Sequence, residues 1–295
     1  MTHPTDGPVA VLGLGTMGAG LASRLLAQGI SVRVWNRTPE RAEPLVRAGA
    51  VGAGRPSEAV EGTSAVICTV SDGDALRTVL RGPDGVLSRG TYPGALICAS
   101  TVAPEEVVRL AEDVPSVMDV GMLGNRDHAR DGELRLFVGG EERVFAAGRP
   151  LLEMLGKEVV HLGALGSGMR MKLLLNLLMG IEVQAMAEAA ELAAVSGLDK
   201  QLVLRTIAGS GFASPVMSFK SRRLATGHFD EPDFRLRLMA KDLMLATEQA
   251  AAAGLRLPLT AAAAQTHARA TEQGLGDKDC AAVIRAVTSE QGTHA

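Results

Sequence analysis

The sequence predicts a chain in two parts, a parallel β-sheet covered by crossover helices and then an all-helical region, and three observations carry that expectation. Short runs rich in valine and isoleucine alternate with helical patterns from Val9 to about His161, as in strands buried on both faces by connecting helices. After Gly168 such runs stop, and Ala, Leu, Met, Glu and Gln, all good helix formers, dominate. At the junction Met169 to Ser196 is apolar on nearly every face and reads as one long buried helix. The expected parts are a sheet domain over 1–163 and a helical domain over 164–295.

The candidate strands are Val9 to Leu12, Ile30 to Trp35, Ala65 to Val70, Ala95 to Ala99, Val117 to Val120, Leu134 to Val138 and Glu158 to Leu162. Helices fit between them. Met17 to Gln28 stops at Gly29, Pro39 to Ala48 stops at Gly49, and Pro104 to Asp113 opens with proline at a first helical position. In the second part helices are expected over Lys200 to Gly209, Pro215 to Thr226, Arg235 to Ala253, Leu259 to Gln273 and Lys278 to Val287, ahead of a frayed tail, SEQGTHA.

With 295 residues, 46% of them hydrophobic, the chain can bury more than one core. Its net charge is only -3, with acids and bases intermixed, so no basic stripe is available for nucleic acid or an anionic membrane. The three cysteines are far apart, which implies neither a disulfide framework nor a zinc site. The opening MTHPTDGP lacks a basic segment followed by an apolar one, and the most apolar stretch, Leu173 to Ile181, is about half a bilayer span. A cytoplasmic protein that acts on a small molecule is the expectation.

Gly13, Gly15 and Gly18 form G-x-G-x-x-G directly after the first strand and at the start of a helix. The first glycine permits a tight turn, the second lets the backbone approach a pyrophosphate, and the third lets helix and strand pack closely. The amides of Leu14, Gly15, Thr16 and Met17 then face the phosphates at the helix N-terminus. This is a Rossmann-type dinucleotide site. Where an NAD-binding chain would place a carboxylate after the second strand, this one has Asn36, Arg37 and Thr38. A guanidinium pairs with a 2′-phosphate that a carboxylate would repel. NADP(H) is therefore the expected cofactor, with Asn36 and Thr38 as neutral partners and Arg41 as a second cation.

Lys172 and Asn176 are four residues apart on the long helix and share a face. Set among Leu173, Leu174, Leu175, Leu177 and Leu178, they are costly to bury without partners or chemistry, and desolvation favours the neutral amine. Position alone leaves two readings open: a proton-transfer pair, or a snorkelling lysine with a helix-bridging asparagine.

Five segments in order make the chain resemble the β-hydroxyacid dehydrogenases, a family of the 6-phosphogluconate dehydrogenase-like superfamily that includes 3-hydroxyisobutyrate dehydrogenase and tartronate semialdehyde reductase. They are GLGTMG, ASTVAPE at 99–105, GSGMRMKLLLN at 166–176, AKDLMLA at 240–246 and GLGDKDCAAV at 274–283. The resemblance implies that Lys172 is the general acid or base and that Asn176, Ser100 and Thr101 position substrate. It places Lys241 near cofactor and substrate, Asp242 beside the substrate, and Val70 and Ser71 with Thr101 along the cofactor. The long apolar helix predicts a homodimer or larger homo-oligomer, and the resemblance, in which a neighbouring subunit's helical half often closes the cleft, implies that Ser210 to Met217 shape the pocket.

One departure bears on the substrate. Where the family has DAPVSGG, whose serine and glycines hold a carboxylate, this chain has DVGMLGN, putting Leu123, Gly124 and Asn125 at the substrate-binding positions. A leucine side chain cannot donate a hydrogen bond, so a substrate that is larger or lacks a free carboxylate is expected. Imine reductases are similar through the glycine loop and WNRT but usually carry Asp or Tyr in place of Lys172. A catalytically silent NADP-binding protein is a third reading, against which the retention of Lys172 and Asn176 argues. His128 and His161 have no metal-ligand spacing, and His128 lies in a charged stretch expected to be solvated.

Overall fold

Eight short strands alternate with helices through the first half of the chain, and helices alone fill the second. The computed structural model describes residues 7–288. The strands are β1 (Val9–Leu12), β2 (Val32–Trp35), β3 (Val51–Gly52), β4 (Ala65–Cys68), β5 (Ala95–Cys98), β6 (Val117–Leu123), β7 (Leu134–Gly139) and β8 (Gly156–His161). The helices among them are α1 (Thr16–Ala27), α2 (Glu43–Arg47), α3 (Pro56–Ala59), α4 (Gly73–Arg81), α5 (Pro104–Leu110), α6 (Arg126–Asp131) and α7 (Glu142–Leu155). The following helices are α8 (Ser167–Val195), α9 (Lys200–Ala208), α10 (Pro215–Thr226), α11 (Leu236–Ala252), α12 (Pro258–Ala270) and α13 (Ile284–Thr288).

The strands form one sheet in the order β3-β2-β1-β4-β5-β6-β7-β8. Alternate side chains enter opposite layers: Val9 and Val11 join the core on one face, Ala10 and Leu12 the core on the other. Both faces are thus buried under helices, which explains the unbroken apolar runs. The sheet is not wholly parallel. Strand β7 pairs antiparallel to β6, with Val120 opposite Val138, and β8 runs parallel to β7. The short connection through α6 returns the chain directly alongside β6, without the full crossover that a parallel neighbour needs.

The chain divides into two compact units, Met1–Lys172 and Leu173–Ala295, and the division falls inside α8. The second unit has its own core, including Val183, Met186, Ala187 and Ala190 of α8 with Leu236, Met239 and Leu243 of α11. Helix α8 is long and apolar enough to pass the length and composition test for a membrane span, unlike the half-length stretch expected from Leu173 to Ile181. The tail SEQGTHA lies outside the described residues.

Candidate dinucleotide and proton-transfer site

The sheet order reverses between β1 and β4, and the loops at the carboxyl ends of such strands flank the ligand crevice of an open α/β sheet. Gly13 follows β1 with φ +95°, and a Cβ there would lie 2.6 Å from Thr69 O. The Thr69 hydroxyl donates to Gly13 O at 2.6 Å, tying the two loops together. A Cβ on Gly18 would collide with Gly13 O and Thr69 Oγ1, whereas a Cβ on Gly15 would meet nothing within 4 Å. No side chain caps the first turn of α1, formed by Thr16, Met17 and Gly18. Two glycines are thus required by the protein's own packing, and the middle one faces open space. That is the cradle a pyrophosphate needs, and the residues fit a dinucleotide.

After β2, the Leu14 amide donates to Asn36 Oδ1 at 2.8 Å, and Asn36 Nδ2 donates to Thr38 O at 2.9 Å. This changes two expectations. Leu14's amide is consumed inside the protein, and Asn36 locks the glycine loop to the loop carrying Arg37 instead of standing free beside a phosphate. Arg37, Thr38 and Arg41 are exposed. Among the described residues neither arginine makes an ion pair.

Ser100 is 1% exposed. Its hydroxyl accepts from Val70 N at 2.7 Å and donates to Cys68 O at 3.2 Å. The serine expected to touch substrate is instead a staple that shapes the loop after β4. There Ser71 donates to Asp72 Oδ2 at 2.6 Å, while Asp72 caps α4 through the Ala75 amide at 2.8 Å. Thr101, next in sequence, is half-buried.

Lys172 is positioned by groups that the sequence reading missed. Asp119, in the middle of β6 and 0% exposed, accepts from Gly166 N at 2.7 Å and from Met169 N at 2.6 Å. These carboxylate oxygens tie down the start of α8. Burial pushes the Asp119 carboxyl above its ordinary range, with the amides of Gly166 and Met169 pulling the other way. A Cβ at Gly121 would lie 2.5 Å from Gly168 O, and one at Gly168 would lie 2.5 Å from Phe137 O. Strand and helix therefore meet backbone to backbone. Lys172, half-buried one turn further on, donates from Nζ to Met122 O at 2.8 Å. The faint sequence signal was an acid inside the apolar run VMDV.

The loop after β6 also departs from expectation. Leu123 pairs with Arg135 of β7, and Gly124 has φ +145°. Asn125 Oδ1 accepts from His128 N at 3.0 Å, and Asn125 N donates to His128 Nδ1 at 3.2 Å. This reciprocal capping box commits Asn125 to the start of α6. His128 is part of it, not merely a solvated residue.

In the second unit Asn176, 3% exposed, donates from Nδ2 to Asp242 Oδ2 at 2.5 Å, and Lys241 Nζ donates to Asp242 Oδ1 at 2.7 Å. Asp242 is 1% exposed, with both oxygens engaged, so the residue expected beside substrate lies between two others. Farther along, Lys220 lies 2.8 Å from both oxygens of the fully buried Asp279. Ser214, in the segment expected to shape the pocket, caps α10 through Met217 N at 3.1 Å and donates to Glu182 Oε2 at 2.6 Å. Cys98 and Cys280 are buried thiols pushed up to about 12.

Comparisons with known proteins agree with this layout. Residues 8–163 match the model for the NAD binding domain of 6-phosphogluconate dehydrogenase. Residues 166–287 match the NAD-binding domain of NADP-dependent 3-hydroxyisobutyrate dehydrogenase. Glyoxylate/succinic semialdehyde reductase 1 of Arabidopsis thaliana is 31% identical over 95% of this chain and 98% of its own length. The cytokine-like nuclear factor N-PAC of Xenopus tropicalis is 34% identical over 96% of this chain but 54% of its own, so the chain spans about half of that relative. Among solved structures, 3-hydroxyisobutyrate dehydrogenase from Salmonella typhimurium has a TM-score of 0.86 at 27% identity, covering 95% of this chain and 99% of that one.

Proposed function

Since this chain belongs to the β-hydroxyacid dehydrogenase family, we propose that it is an NADP(H)-dependent oxidoreductase that reduces a small aldehyde, ketone or keto acid, or oxidises the matching alcohol. The observation that carries the reading is Lys172, a half-buried amine held against Met122 O by a helix start anchored on Asp119. The first turn of α1 and the space over Gly15 accept the pyrophosphate, and Arg37, with Arg41 near it in sequence, pairs with the 2′-phosphate. The bound nicotinamide supplies the hydride. Lys172 gives its proton to the substrate oxygen as the carbonyl is reduced, and the neutral amine takes that proton back in the oxidative direction. Asn176 and the backbone around Gly124 hold the reacting group, and Lys241 meets the cofactor. The Leu123 side chain offers no hydrogen bond to a carboxylate, so the preferred substrate is uncharged or larger at that end.

We read the unit as a homodimer or higher homo-oligomer. Leu174, Leu178, Leu192 and Val195 are 58%, 58%, 65% and 73% exposed along α8. Recurring on one face, they suit pairing with the same stripe of a second copy.

The test follows NADPH consumption against a panel of aldehydes, ketones, keto acids and cyclic imines. Turnover on carbonyls that falls by about two to four orders of magnitude in Lys172→Ala, with NADPH still bound, supports the assignment. Reduction of imines alone would transfer the chain to imine reductase chemistry. The similarity to nuclear factor relatives favours a second reading, a dinucleotide-binding protein without turnover, for which binding and no reduction of any panel compound is the signature.

A further inference from the structure

The geometry points to Asp242 as a positioning residue that fixes Asn176 and Lys241 in single orientations, a role that rests on the function proposed above. Asp242 and Lys241 lie on α11, Asn176 on α8. Gly180, one turn after Asn176, leaves room on α8 for the Leu243 and Met239 side chains of α11. A Cβ there would lie 2.8 Å from Leu243 Cδ2 and 2.9 Å from Met239 Sδ. A carboxylate 1% exposed is expensive to desolvate, and here each oxygen receives one strong donor: the amide of Asn176 at 2.5 Å and the ammonium of Lys241 at 2.7 Å.

The consequence concerns the direction of an amide. A free asparagine can present either its oxygen or its nitrogen to a ligand, and the two ends have opposite hydrogen-bonding character. With one of its two Nδ2 hydrogens committed to Asp242, Asn176 turns Oδ1 away from the carboxylate as an acceptor. A substrate that meets this oxygen must offer a donor, such as a hydroxyl or an amino group next to the reacting carbon. Asp242 therefore acts through Asn176 and Lys241 and does not touch substrate itself.

The test is a double-mutant cycle with a second readout that needs no turnover. Asp242→Asn, which keeps the shape, should lower kcat on the best panel substrate by roughly tenfold to a hundredfold in the parent protein, the cost of losing one charge-assisted bond. In an Asn176→Ala background the same change should lower it by a distinctly smaller factor, because the Asn176 contact is already gone and only the Lys241 contact remains to be lost. Equal effects in both backgrounds, or parent-like kcat in Asp242→Asn, would overturn the inference. In the cofactor-free protein, the Asn176 side-chain amide should give one NMR proton protected from exchange. It should lose that protection in Asp242→Ala, and survival of the protected signal refutes the pairing. No turnover by the parent on any panel compound, with the protected signal intact, would instead remove the proposed reaction and leave only the contact.

Discussion

Asp119 Oδ2 lies 2.6 Å from the Met169 amide, and the same carboxylate receives Gly166 N, so a β-strand holds the start of the helix that carries Lys172. Asp119→Ala would leave two buried amides without acceptors. At about 1–3 kcal/mol for each orphaned group, the expected loss is about 2–6 kcal/mol, read by urea unfolding. Turnover should fall further than the folded fraction explains, since the helix turn that aims Lys172 is no longer pinned. A variant as stable and as active as the parent would separate Asp119 from both roles.

The glycine loop allows a sharper contrast. Gly18→Ala drives a methyl into Gly13 O and Thr69 Oγ1 and should lower the melting temperature even without nucleotide. Gly15→Ala meets nothing within 4 Å, and Gly15 has φ -72°, which alanine adopts freely. Its stability should be parent-like or slightly raised, while NADPH affinity drops because the methyl fills the cradle. Thermal melts with and without NADPH read both effects. If Gly15→Ala binds as well as the parent, the pyrophosphate does not sit there.

Arg37 and Arg41 are exposed and, among the described residues, make no ion pair. Arg37→Ala should raise the KM for NADPH about tenfold to a hundredfold, the worth of one charge-assisted contact to a phosphate. NADH, which has no 2′-phosphate, should be used no worse than before. A parallel loss for both nucleotides would mean that Arg37 supports the loop and does not read the phosphate.

The fold was largely legible because its signals are local. Fully buried strands such as VAVL and AVIC read as strands on composition, and Pro215–Thr226 matched to the residue because a proline and a glycine punctuate it. Strand β3 escaped, since two exposed residues carry no periodicity. The expected helix from Pro39 to Ala48 is a tight turn followed by the short α2, with a second proline, Pro44, at the start of the latter. The wiring of these groups was not legible. Residue type singled out Asn36, and the resemblance to the family singled out Ser100, Asn125 and Asp242, without naming any of their partners. Only the structure shows that Leu14, Val70, His128 and Asn176 engage them. Asp119 was missed for the same reason: its partners are 47 and 50 residues away, beyond any local pattern.

Acid stability should fall in two stages, set by two buried groups of the helical unit. His267 is 0% exposed, with Nδ1 2.9 Å from Ala263 O, and burial pushes it down from 6.5 to about 4. Between those values the unfolded chain holds a proton that the folded chain refuses. Its contribution is complete above pH 6.5 and lost as the pH falls toward 4, by about 3 kcal/mol in all. Asp279 follows at lower pH. Burial raises its carboxyl, but Lys220 and the amides of Ala281 and Asp233 outweigh that and leave it below 3.8, so its share is lost only as pH drops through the low carboxylate range. Urea unfolding from pH 7 to 4.5 should therefore show a slope that disappears in His267→Leu. Lys220→Met, which strands a buried carboxylate, should cost about 3–5 kcal/mol at pH 7 and distinctly less once Asp279 is protonated. An unchanged slope in His267→Leu would place the proton uptake elsewhere in the chain.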